Sequence, residues 1–223
     1  MATNVAVNPA LWLLISPALP VGGYSYSQGL EFAVEAGWLT STTDVDDWLF
    51  GVAGATLVHQ DLACLARLHD AVANGDADAT LRWNRALSAS RETAELLDED
   101  RQMGLALARL LRDVMPEATE LLPAAPTFAT AFAAACVANS IDMDAALAAY
   151  AWVWHENQVA AAIKLVPLGQ TDGQRLMLAA GERLAHLVEC ARAVDDDDIG
   201  LTLPAVAIAS AQHERQHTRL FRS

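Results

Sequence analysis

Helical punctuation governs this chain. Alanine and leucine dominate its long stretches, β-branched runs are scarce, and few segments alternate apolar and polar residues with a period of two. Its breaks fall where helices stop: Gly22-Gly23, Gly37, Asn74-Gly75-Asp76, Pro116, Pro123 to Pro126, and Pro167-Leu168-Gly169. Between them the spacing predicts helices from Ser25 to Gly37, Thr43 to Val72, Ala79 to Ala89 and Glu92 to Met115. Others follow over Thr127 to Ser140, Met143 to Leu165, Thr171 to Ala193, and Pro204 to His213. Ser25-Tyr26-Ser27-Gln28 and Thr43 to Asp46 read as capping boxes, and Gly37 as a left-handed helix terminator. The expectation is an all-α single domain over residues 1–223, a bundle of about ten helices. Residues 213–223 are expected to form a flexible tail, disordered without a partner.

Charge narrows the function classes. The 223 residues carry 14 Lys and Arg against 28 Asp and Glu, a net charge of −14. Lys164 is the only lysine, and the arginines form no stripe, which excludes binding through nucleic-acid phosphates. The hydrophobic fraction is 53% and the mean hydropathy +0.21, so membrane insertion needs testing. Two long uncharged runs stand out, one before Glu31 and one from Leu121 to Ile141. Prolines and glycines cut the first, alanine and threonine weaken the second, and the first lacks a basic leader segment. Both are expected to be buried or interface segments of a soluble protein. Cys64, Cys136 and Cys190 stand far apart with no CxxC spacing, which suits a reducing compartment, the cytoplasm.

No phosphate-binding loop, dinucleotide fingerprint or nucleophile elbow is present, so neither a cofactor nor catalysis is expected. One metal motif matches literally. His213-Glu214-Arg215-Gln216-His217 is HExxH, in which two histidines one turn apart bind zinc and the glutamate acts as base. A metallohydrolase needs a third protein ligand, none is evident after His217, and the polar Arg215-Gln216 pair fits an exposed helix better. A weaker version has His213 and His217 holding a divalent ion such as nickel on that exposed turn. Trp152 and Trp154 cannot share one helix face, so one is assigned to the core and the other to a partner interface.

The segment from Arg91 to Gln102 is densely charged, and Glu95 and Glu99 repel one turn apart. It reads as a solvated helix face whose unmatched acids await a basic partner. In Thr218 to Ser223, two arginines flank Leu220-Phe221 with nothing after them to cover the apolar side chains. These are residue types that anchor interfaces.

Four ordered blocks resemble the UreF family of urease accessory proteins. They are Ser16 to Glu31 (SPALPVGGYSYSQGLE), Arg91 to Gly104 (ending EDRQMG), Glu156 to Gln170 (ENQVAAAIKLVPLGQ), and Pro204 to Ser210 with Arg219 to Ser223. The resemblance covers nearly the whole chain from about Leu11. It departs at His217, where the family commonly has an aromatic, so HExxH reads as one substitution beside an ordinary His213-Glu214 pair.

The resemblance implies an all-α, dimeric adaptor and chaperone without catalysis of its own. Such proteins join a UreD-type scaffold (UreH in some naming) and the GTPase UreG, dock on apo-urease and promote nickel insertion. It assigns Arg219, Leu220, Phe221 and Arg222 to the scaffold contact. Tyr24, Tyr26, Glu31, Arg91, Glu99, Asp100, Arg101 and Lys164 become candidates for the dimer and GTPase-facing surfaces, with Arg91 or Arg101 the candidate for an arginine finger on that GTPase. Trp12 and Leu13 are candidates for packing on the dimer mate or the GTPase.

Overall fold

The computed structural model describes residues 8–223, so the first seven residues of the uncharged N-terminal run lie outside the described residues. Among the described residues there is no strand. The helices are α1 (Pro9–Leu14), α2 (Leu30–Glu35), α3 (Thr42–Val52), α4 (Ala63–Ala73), α5 (Ala77–Ala89), α6 (Ala94–Val114), α7 (Phe128–Ala138), α8 (Met143–Leu165), α9 (Gln170–Ala193) and α10 (Pro204–His213). A π-helical stretch, Ala53–Leu62, joins α3 to α4 without a break. The resulting 32-residue helix is long and apolar enough to cross a membrane, yet 72% of its most apolar window is buried within the chain.

Local chemistry sets most boundaries. Asp76, Thr93, Thr127 and Asp142 cap α5, α6, α7 and α8 by accepting first-turn amides. Pro204 opens α10 at its first position. At the end of α2, Gly37 takes φ +75°, and the amides of Gly37 and Trp38 bond back to Val34 and Ala33. That is the expected left-handed termination.

Both capping boxes are corrected. Ser41 with Asp44 is the box of α3, two residues before the expected pair. Ser25 caps nothing: residues Gly23–Ser25 form a 3-10 turn and Tyr26 is extended. Gln28 is left-handed at φ +55°, and α2 begins only after Gly29 at φ +82°. Gly29 is needed there because a Cβ would lie 2.8 Å from the Ser210 amide nitrogen on α10.

The larger core cluster joins the π-helical stretch and α4 to α6, α7 and the first half of α8. Helix α7 is buried continuously from Phe128 to Cys136, as expected for the second uncharged run. Cys64 and Cys136 are free, and burial pushes both thiols up to about 12. A second cluster gathers α2, the start of α3, the end of α8, Leu176 and Phe221. Trp154 packs on both clusters and ties them together.

The tail differs from the sequence expectation. Instead of standing free, residues 219–223 lie against the body, with Phe221 5% exposed and Ser223 0%. The reason is local: the interior acids of α2 and α6 receive donors from this segment, and the second core cluster covers the Phe221 ring.

His155 of α8 is 3% exposed, stacks near Phe50, and leaves its Nε2 without a protein partner. Burial drives its pKa down to about 4, with Leu176 main chain and Asp46 offsetting part of the shift. A buried histidine that must stay neutral contributes stability above its ordinary value of 6.5, which is lost as pH falls towards 4. The His155 contribution is a loss of roughly 3 kcal/mol between about pH 6.5 and 4, and His155→Gln is expected to remove that contribution from the pH dependence of the melting temperature. Equal slopes in thermal melts would refute this.

Candidate functional site

The four blocks that are far apart in sequence meet at one place, around the C-terminal strap of residues 219–223. Glu31, in the first turn of α2, accepts the Leu220 and Phe221 amides at 2.7 and 2.8 Å. The Arg222 amide donates to the Ser25 carbonyl, and the Ser27 amide donates to the Ser223 main-chain oxygen. On α6, Glu95 pairs with Arg219, and Glu99 accepts from the Ser223 hydroxyl at 2.7 Å. From α8, Lys164 holds its Nζ 5.3 Å from the centre of the Phe221 ring. The acids expected to await a basic partner are thus met by the chain's own end.

Gln28 shows why the unusual backbone before α2 matters. Its Nε2 donates to Glu99 at 2.7 Å while its Oε1 accepts the Trp154 indole N–H at 2.8 Å. One left-handed glutamine therefore bridges the N-terminal block, α6 and α8. Trp154 is half-buried in that role, and Trp152, also half-buried, packs near Gly181 of α9. Neither tryptophan is fully buried, so the core residue expected of the pair is not found.

Beneath the strap lies a buried ionic cluster. Arg91 binds Asp61 through two nitrogens at 2.7 and 3.0 Å and reaches Asp100 at 3.2 Å. The Tyr150 hydroxyl donates to Asp61, and Asp100 accepts the Phe128 amide. Burial works against the Arg91 charge, but Asp61 and Asp100 raise its pKa well above the ordinary value. Burial also pushes Asp100 and Tyr150 up, and it raises Glu99 to about 7. A cavity of about 50 Å³ separates this cluster from Tyr26, Gln28 and Asn157.

These positions correct the expected partner-facing role of Arg91, Glu99 and Asp100. They are interior groups, and a solvated face was the wrong reading because α6 buries Leu96, Glu99, Asp100 and Met103 together. Arg91 is consumed by two carboxylates and is no finger. Tyr26 is buried at 5% with its hydroxyl on Gln102, and Glu31 is buried at 8% as the strap's acceptor. Tyr24 and Leu220 are each 63% exposed, and Arg101, Lys164, Arg219 and Arg222 also face outwards. Trp12 and Leu13 are exposed on α1.

The HExxH pair does not form the expected exposed turn. His213 is 0% exposed at the end of α10, with Nδ1 2.7 Å from Glu95 and Nε2 3.3 Å from Glu31. Helix α10 stops there, so Glu214 and His217 lie on the chain beyond it and are exposed. Among the described residues no group of three or more His, Cys, Asp or Glu side chains is placed to hold a metal ion.

Sequence reasoning missed Asp61, Tyr150, Gln28 and Ser223. Asp61 carried a usable signal, since it is the only Asp, Glu, Lys or Arg between Asp47 and Arg67. A lone acid in an apolar helix demands a buried cation. Nothing local marked Gln28 or Ser223, whose partners are 71 and 124 residues away.

The family model described as UreF matches residues 39–181, more than half of the chain. A protein named urease accessory protein UreF from Alkalilimnicola ehrlichii is 51% identical over 216 residues, covering 96% of this chain and 94% of its own length. Proteins of the same name from Teredinibacter turnerae and Chromohalobacter salexigens are 47% and 46% identical. The first covers 94% of this chain and 96% of its own length, the second 96% and 93%. With its four blocks converging in one helical bundle, this chain belongs to the UreF family.

Proposed function

We propose that residues 1–223 act as one unit, a non-catalytic accessory protein in urease maturation. It bridges a UreD-type (UreH) scaffold and the GTPase UreG in the cytoplasm, as a homodimer, and modulates GTP hydrolysis while nickel enters apo-urease. The observation that carries this reading is the strap. Main-chain bonds to Glu31 and Ser25 fix residues 220–222, while the Leu220 side chain remains 63% exposed between Arg219 and Arg222. An exposed apolar side chain on a fixed backbone, flanked by two arginines, is preorganised for docking.

The test separates anchoring from docking. Leu220→Asp alters a side chain that is mostly exposed and belongs to neither core cluster, so its helicity and melting temperature are expected to match the wild type. Capture by a UreD-type scaffold, read by light scattering after size exclusion, is expected to weaken tenfold or more. Wild-type affinity in Leu220→Asp would overturn the strap's assignment to the scaffold.

A further inference from the structure

Glu99 occupies an unusual position: an acid enclosed in the body that touches the last residue of the strap. It is 6% exposed, and its two oxygens face Gln28 Nε2 and the Ser223 hydroxyl, each at 2.7 Å. Ser223 is fully buried, held by the Ser27 amide and hydroxyl, so the end of the strap closes over the carboxyl. Closing the strap thus removes a titratable acid from water without providing a cation in direct contact with it.

The surrounding charges do not supply one. Arg91 lies across the cavity but is committed to Asp61 and Asp100. Asp100 beside it disfavours a second negative charge. Tyr26 and Tyr150 face the same space from the N-terminal block and α8. Arg222 on the strap bonds Gln102 and is exposed, Arg219 is paired with Glu95 one turn away, and Asp98 adjoins on α6.

We propose that Glu99 is a proton-operated latch on the C-terminal strap, which closes firmly over the neutral carboxyl and loosens when that group ionises. Enclosing a carboxylate costs more than enclosing a carboxylic acid, and two neutral donors offset only part of the difference. Burial raises the closed-form pKa to about 7, with Ser223 and Gln28 pulling the other way. Once the strap lifts, water reaches Glu99 and its pKa returns towards the ordinary 4.5. The closed form therefore binds the extra proton. Closure is strongest below that ordinary value, weakens as pH rises towards 7, and is level above it. The latch is a property of the free chain and does not rest on the identity of the strap's partner.

Hydrogen exchange of the Phe221 and Arg222 amides, corrected for intrinsic pH dependence, reads the closure. Wild-type protection is expected to fall about tenfold per pH unit between about pH 5.5 and 7 and then level off. Glu99→Gln keeps a neutral side chain and is expected to give pH-independent protection. A flat wild-type profile, or an unchanged slope in Glu99→Gln, overturns the latch. A second measurement needs no variant: the carbon-13 titration of the Glu99 carboxyl in the intact chain. A midpoint near 7 supports the latch, and one near the ordinary 4.5 overturns it.

Discussion

Arg91→Met is expected to lower the unfolding free energy by roughly 3–5 kcal/mol. The side chains of Arg91, Asp61 and Asp100 are 10%, 9% and 4% exposed, so water cannot replace the lost guanidinium. Methionine fills much of the volume but leaves two interior carboxylates with only the Tyr150 hydroxyl and the Phe128 amide to satisfy them. Arg192→Ala is the control. Its pairing with Asp144 at 3.0 Å has comparable geometry, but both side chains are 57% exposed, and the expected change stays under about 1 kcal/mol. Urea denaturation followed by circular dichroism decides it. Equal losses in the two variants would mean that burial is not what gives the Arg91 cluster its weight.

That contrast also explains what could be read from the sequence and what could not. Helix ends set by a cap or a glycine were legible to within a few residues: α8 runs from Met143 to Leu165 as the spacing predicts, and α2 terminates at Gly37. Each is a local event, decided within about one helical turn. The start of α2 was not legible. Ser25 and Gln28 look like a capping box, but Gly29 must cross α10 at Ser210, and that crossing displaces the helix start.

The site failed for the same reason, at longer range. Charged side chains in the Arg91 to Gln102 segment look solvated to any local rule, because the surface that buries them comes from elsewhere. Asp61 arrives from the π-helical stretch, Phe128 from α7 and Ser223 from the strap. The strap itself looked unburied because its receptor acids, Glu31, Glu95 and Glu99, were assigned to a partner. The resemblance picked out segments that meet in the fold, while geometry showed that several of their residues work inwards.

Gly104→Ala is expected to cost at least about 3 kcal/mol, and for a reason tied to Arg91. A methyl group there would sit 2.1 Å from the Pro126 carbonyl oxygen and 2.6 Å from the Thr127 carbonyl carbon. Both are main-chain atoms, so no rotamer relieves the clash and α6 must separate from the start of α7. Asp100 lies one turn earlier on α6 and accepts the Phe128 amide at 2.8 Å, so the separation stretches that bond first. Arg91 holds the other oxygen of the same carboxylate. The two substitutions thus damage one contact from opposite sides, and their double variant should lose less than the sum by more than about 0.5 kcal/mol. Gly54→Ala tests whether space is the cause, since a Cβ there meets nothing within 4 Å. In that helical stretch alanine is expected to be neutral or stabilising by up to about 1 kcal/mol. Strict additivity of Arg91→Met and Gly104→Ala would mean that the ionic cluster and the α6–α7 approach are separate devices, and that Asp100 does not join them.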